Sequence, residues 1–153
     1  MKKTIVSLVT LLLIGLFLCP VAVNASDSKA DDVLAEINEY RASYGLGELT
    51  MDEGLTDVAS VRAEECSQRF SHIRPNGEEW YTVSTLTNGE NLAHAKNNNQ
   101  QKPENVVLAW MLSPGHSANV LRKSYSTAGI YYYQSDSGEI YIACEFRWYK
   151  CHK

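Results

Sequence analysis

Two histidines and a glutamate occupy short segments that interrupt the regular patterns of this chain. His72 lies in FSHIRPNG (70–77), between a helical stripe and a Pro-Asn-Gly turn. Glu90 lies in GENLA (89–93). His116 lies in AWMLSPGHSANVL (109–121), directly after a Ser-Pro-Gly helix stop. Imidazole nitrogens and a carboxylate are suitable ligands for a divalent cation such as zinc. The same groups perform acid–base chemistry near neutral pH. Each also has a plainer role. A loop histidine is often a hydrogen-bonded structural residue, Glu90 could pair with a nearby cation, and Ser113 could cap the chain as it leaves its helix. The motifs HExxH and GxSxG are absent. Cys66 and His72 would make a thiol–histidine pair, but Cys66 sits on an apolar helical stripe, which favours packing or a disulfide.

The elements that must position these residues are legible in outline. Val33, Leu34, Ile37, Tyr40, Arg41 and Tyr44 follow helical spacing, with Gly45 as the stop and Asp31-Asp32 at the positive end of the helix dipole. Thr50-Met51-Asp52-Glu53 matches a capping box, with Thr50 as the cap. Leu55, Val58, Ala59, Arg62, Ala63 and Cys66 predict a second helix ending near Gln68; Arg62 on that stripe is either paired in the interior or snorkels outward. Trp80–Val83 reads as a short strand or bridging loop, and GENLA as a segment between loops. KNNNQQK (96–102) is an exposed loop. Pro103 opens a third helix with Val106, Val107, Trp110 and Met111 on its inner face, and one short turn follows over 116–121. Residues 130–133 and 140–146 are strands joined by a tight Ser-Asp-Ser-Gly hairpin. The last strand, IYIACEF, is apolar at nearly every position, which predicts burial on both faces. The fold class is therefore α+β, a three-layer α-β-α sandwich with a mixed or antiparallel central sheet.

Bulk properties narrow the function. The chain has 153 residues and a formal net charge of −4. Met1-Lys2-Lys3, the apolar run from Ile5 to Val23 and the short residues Val23-Asn24-Ala25 form a secretory-signal pattern, with cleavage expected between Ala25 and Ser26. A lipid anchor on Cys19 is disfavoured by the bulky Leu18 before it. Cleavage would leave a short polar leader (26–32) and one domain (33–150), and losing Lys2 and Lys3 would take the net charge to −6. An acidic domain without basic runs is a poor nucleic-acid binder. Cys66, Cys144 and Cys151 would remain, an odd count whose pairing spacing does not reveal.

In this order, and after helices containing INEYRASYGLGELT and VRAEE, the segments FSHIRPNG, GENLA and AWMLSPGHSANVL resemble the CAP superfamily of cysteine-rich secretory, antigen 5 and pathogenesis-related proteins. The bacterial branch with W-M-x-S-P-G-H is the most similar, and the likeness runs from about Val33 to Trp148. It implies an open central cleft in which His72 and His116 face each other with Glu90 nearby. Many eukaryotic members carry a further glutamate where this chain has Ser113, so the cleft here is less acidic and its cation affinity should be weaker. Where related bacterial chains read Q-x-F in the last strand, this one has Cys144-Glu145-Phe146. Asn119 matches the bacterial H-x-x-N and is expected to fix the loop after His116. Ser71, Trp110, Pro114 and Gly115 complete the surroundings.

The expected function is a secreted, monomeric binding module, with no membrane span once the signal is removed, at large or held at the cell surface. Its cleft would hold a divalent cation through His72, Glu90 and His116, beside a peptide or small apolar ligand. A metal-assisted or His/Glu-dependent hydrolase, peptidase or esterase, is the alternative. A third reading makes Tyr131, Tyr132, Tyr133, Tyr141 and Tyr149 a surface for an extracellular protein partner, against the plainer one in which they pack on the flanking helices.

Overall fold

The computed structural model describes residues 25–148. The signal segment with Cys19, and Tyr149 and Cys151, lie outside the described residues. Among the described residues, four helices and four strands run in the order α1 (Ala25–Ser43), β1 (Thr50–Met51), α2 (Glu53–Gln68), a 3-10 turn (Trp80–Val83), β2 (Gly89–Ala95), α3 (Pro103–Leu112), α4 (Pro114–Val120), β3 (Tyr125–Gln134) and β4 (Ile140–Trp148). The sheet order is β1-β3-β4-β2, with β1 parallel to β3 and the other pairs antiparallel, so the sheet is mixed.

The sheet is covered on both faces, as IYIACEF predicts. On one face Val33 and Ile37 of α1, Val106, Val107 and Trp110 of α3 and Val120 of α4 pack on Ile130, Ile142, Cys144 and Phe146. On the other, Ala59, Ala63 and Cys66 of α2 pack on Leu92, Tyr141 and Ala143. The small residues on α2 let it lie close to the sheet. Gly129 takes this furthest: a Cβ there would lie 2.1 Å from the backbone carbon of Leu55. No described helix is long and apolar enough to cross a membrane.

Several boundaries differ from the sequence reading for physical reasons. The stretch read as a polar leader is the beginning of α1, because buried Ala30 extends the Val33–Ile37 stripe by one turn. Asp31 and Asp32 therefore lie inside the helix and not at its start. The cap of α2 is Asp52, whose carboxylate accepts from Leu55 N at 3.0 Å. Thr50 is drawn into β1 by pairing with Thr127, and Asp52 N donates to Ala128 O. Trp80–Val83 is a 3-10 turn. GENLA is a strand, paired along β4 from Gly89↔Phe146 to Ala95↔Ile140. The hairpin tyrosines are largely packing residues: Tyr132 and Tyr141 are buried, and Tyr131 and Tyr133 lie against the α2 layer.

Candidate functional site

The site forms where the end of α2, the start of β2 and the α3–α4 corner meet. Strand alternation points Glu90 to the α2 face and Asn91 to the α4 face. Arg62 rises from the buried stripe of α2 and resolves its ambiguity as an interior ion pair. Its Nε donates to Glu90 Oε2 at 2.6 Å and its Nη2 to Glu90 Oε1 at 3.3 Å. The side chains of both residues are wholly buried. Arg62 Nη2 also donates to Ser71 O at 2.9 Å, while Nη1 reaches Glu65, which Arg74 holds in turn.

This pair anchors His72, whose Nδ1 lies 2.7 Å from Glu90 Oε1. The backbone on either side is pinned as well. Arg62 takes the carbonyl of Ser71, Trp80 N donates to His72 O at 2.9 Å, and Ser71 Oγ accepts from Ile73 N. The His72 side chain remains 49% exposed, and its Nε2 has no hydrogen-bond partner among the described residues.

His116 arrives from the opposite wall. Ser113 closes α3 and serves as N-cap of α4, and Pro114 occupies the first turn, where its missing N–H leaves nothing unpaired. His116 therefore does not leave the helical path as its Ser-Pro-Gly context suggests; it sits on a second short helix. Its ring centroid is 6.2 Å from that of His72, with the planes tilted by 52°. Burial, and secondarily the nearby His72, lower its pKa, so the ring is neutral at pH 7.

Asn119 does more than order its own loop. Its Nδ2 donates to Glu90 O at 3.1 Å and to Asn91 Oδ1 at 3.0 Å, and Asn91 Nδ2 donates to His116 O at 3.1 Å. These bonds stitch α4 to β2 and fix His116 relative to Glu90. Trp110 adds a brace from α3, its Nε1 donating to Leu92 O at 2.9 Å. Tyr125 OH donates to Asn88 O at 2.9 Å, just where Gly89 opens β2. A Cβ at position 89 would lie 2.1 Å from that hydroxyl, so the first residue of GEN must be glycine for the tyrosine to reach. At Gly115, by contrast, a Cβ would meet open space.

A second carboxyl lies beneath the first. Glu145 is paired with Glu90 across β2 and β4, is fully buried, and accepts a hydrogen bond from Thr87 Oγ1. Burial and then the charge of Glu90 hold its carboxyl well above the ordinary range. Burial also pushes Glu90 upward, but hydrogen bonds from His72 and Arg62 and the charge of Arg62 outweigh it, leaving Glu90 below the ordinary range. Glu90 is thus the anion and Glu145 the neutral acid.

The open cleft measures about 480 Å³ and is lined by His72, Glu79, Trp80, Ser113, His116 and Arg122, among others. A second groove of about 380 Å³ runs from Ser113 and His116 along Leu92, His94 and Ala109. All four residues singled out from sequence, His72, Glu90, Ser113 and His116, border the cleft. Both oxygens of Glu90 are in contact with other side chains, Arg62 and His72. Among the described residues no three His, Cys, Asp or Glu side chains converge as a ready-made metal cage. No hydrogen bond joins Ser113 to His116. Cys66 makes no nucleophile: burial first of all pushes its thiol up to about 11. Cys66 and Cys144 are both free and buried, in the clusters on opposite faces of the sheet. Sequence reading missed Asn91, Tyr125 and Glu145. Glu145 carried a signal, as the single charge in the apolar run IYIACEF; Asn91 and Tyr125 carried none that distinguished them.

A mixed sheet between α2 and an α1–α3–α4 layer, with two imidazoles facing across one end, defines an α-β-α sandwich protein with an open histidine cleft. The chain belongs to CAP, the cysteine-rich secretory protein family, whose sequence model matches residues 34–146. It is 32% identical over 126 residues to the uncharacterized protein YkwD of Bacillus subtilis (strain 168), covering 77% of this chain and 46% of that protein. The chain thus spans about half the length of that relative. Among solved structures, an outer surface protein of Borrelia burgdorferi superposes with a TM-score of 0.66 at 22% identity, covering 80% of this chain and 94% of that one. The crystal structure of NaASP2 with Zn2+ gives 0.62 at 16% identity, covering 79% and 80% respectively.

Proposed function

We propose that this is an exported CAP binding module whose cleft takes a divalent cation on His72 and His116, with Glu90 behind His72 as the orienting carboxylate, and a peptide or small apolar ligand alongside. The observation that carries the reading is the His72 Nδ1–Glu90 contact at 2.7 Å. A ligating histidine commonly gives its second nitrogen to a carboxylate, which fixes the tautomer and raises the basicity of the free nitrogen. That free nitrogen is His72 Nε2, on a half-exposed ring facing a neutral imidazole. The 6.2 Å between ring centroids is within about an ångström of what two imidazoles sharing one ion require, given a metal–nitrogen bond of about 2 Å. When bound, a cation there would supply Lewis acidity and an open position for water or ligand. NaASP2, solved with Zn2+, lends support from the same fold. Export is supported by the apolar segment Ile5–Val23, by the family's secretory membership and by the outer-surface location of the Borrelia burgdorferi protein.

Hydrolysis is the second reading. The His72–Glu90 hydrogen bond is the base-and-orienter half of a catalytic pair. No hydrogen bond joins Ser113 to His116 and the Cys66 thiol is held protonated, so hydrolysis would have to use an activated water; binding, which requires no nucleophile, is the reading kept. Zinc titration by calorimetry on metal-stripped, untagged protein tests it. The parent should bind one zinc and His72→Ala/His116→Ala none. Equal uptake by both would overturn the site.

A further inference from the structure

Beside the histidine pair, the cleft wall carries an arginine without a counter-ion among the described residues. Arg122 is exposed and lines the same cavity as His72 and His116. Among the described residues no carboxylate lies within ion-pair distance of its guanidinium. Arg62, Arg74 and Arg147 all have such partners, Arg41 is buried on carbonyl oxygens, and Arg69, which also lacks a carboxylate partner, is not part of the cleft lining. The backbone of Arg122 is held from behind. Its N–H donates to Asn119 O at 3.1 Å, and its carbonyl accepts from Arg41 Nη1 at 3.0 Å. Its guanidinium stands over the Tyr125 ring, 5.4 Å from the centroid, an arrangement that orients a planar cation. In an acidic protein, an unpaired arginine on a preset backbone inside a cleft is placed to receive an anion.

We infer that Arg122 is the specificity residue of the cleft, binding an anionic group, carboxylate or phosphate, of a ligand whose adjoining part lies against His116. A guanidinium fork matches either anion through two parallel N–H donors. The charge of the cleft permits this. Of its two acidic side chains, Glu90 is neutralised by Arg62, which leaves Glu79 as the one carboxylate an anion must avoid. A volume of about 480 Å³ accommodates such a group with several further heavy atoms, and the adjoining groove along Leu92 and Ala109 receives an apolar continuation. The inference rests on the cleft being a ligand site; it does not need the cation.

The experiment uses metal-free, 15N-labelled protein. Three probes are titrated: N-acetyl-trialanine with a free C-terminus, the same peptide amidated, and inorganic phosphate. The Arg122 Nε–H resonance reports binding. At least one anionic probe should shift it, the amidated peptide should not, and the tighter of the two anions identifies the source. Arg122→Gln should weaken that probe tenfold or more, and Arg122→Lys less, because charge remains while the fork is lost. Equal affinity in Arg122→Gln, or no response to either anion, overturns the inference. Zinc titration of Arg122→Gln separates the two readings. Unchanged zinc uptake with lost anion binding supports both. Anion binding without zinc uptake in the parent leaves Arg122 standing and removes the cation site.

Discussion

The Arg62–Glu90 pair offers the sharpest test of how this site is built. Both side chains have no solvent exposure, and they meet at 2.6 Å. Removing one member of such a pair strands the other as a buried charge, which costs roughly 3–5 kcal/mol. In Glu90→Gln the amide oxygen can still accept from Arg62 Nε, but the NH2 group turns a donor toward the atoms that now donate to Glu90. We therefore expect about 3 kcal/mol, equivalent to about 10 °C in Tm for a domain of this size. Arg62→Met should cost about 4 kcal/mol, since it leaves Glu90 with His72 alone, deprives Ser71 O of its donor and leaves Glu65 with Arg74 only. The double variant removes both charges, so it should be less destabilised than the sum of the singles by about 2 kcal/mol. Urea unfolding followed by tryptophan fluorescence measures all three. Single losses under about 1 kcal/mol, or additivity within about 0.5 kcal/mol, would refute the claim that a coupled buried pair holds the site. Zinc affinity of Glu90→Gln is an independent readout, expected to fall about 10- to 100-fold through loss of the orienting carboxylate.

Two further outcomes follow from the site's buried groups. Glu145 keeps its proton in the folded state at a pH where the unfolded chain has lost it. Its contribution is present below the unfolded carboxyl pKa and is lost as pH rises toward its raised folded value. Glu145→Gln, which imitates the neutral acid, should flatten the decline in stability above about pH 4.5 by up to about 1.4 kcal/mol per pH unit; parallel urea-midpoint curves for the two proteins would contradict it. Gly89→Ala should destabilise by about 1–3 kcal/mol, because the new Cβ meets Tyr125 OH at 2.1 Å. Adding Tyr125→Phe should recover part of that loss in thermal melts, and no recovery would place the strain elsewhere.

What was legible in the sequence follows the range of the interactions involved. The α2 and α3 cores and the terminal hairpin rest on local periodicity and turn chemistry, which a linear reading captures. His72, Glu90 and His116 stand out because each interrupts such a pattern, and their order in the chain sufficed to place them in one family. The employment of those residues was not legible. GENLAHA has no β-branched residue and little alternation, so it becomes a strand only when β4, some fifty residues later, pairs with it. The start of α1 depended on whether Ala30 found a core, and the cap of α2 moved to Asp52 because β3 claimed Thr50.

The same holds for charge. Arg62 was one residue on an apolar stripe with two outcomes, and Glu90 one carboxylate with three. Burial decided both: inside the protein a charge needs a partner, and each is the other's. That pairing set Glu90 against His72 and left Glu145 as the neutral acid. The sequence by itself determined the layers, through local periodicity, and, through its resemblance to the CAP family, that His72, Glu90, Ser113 and His116 belong to one cleft; it did not mark Glu79, Trp80 or Arg122 as their neighbours. Which group faces the cleft and which stands behind it was decided only by the tertiary structure, because desolvation and through-space pairing depend on where distant segments meet.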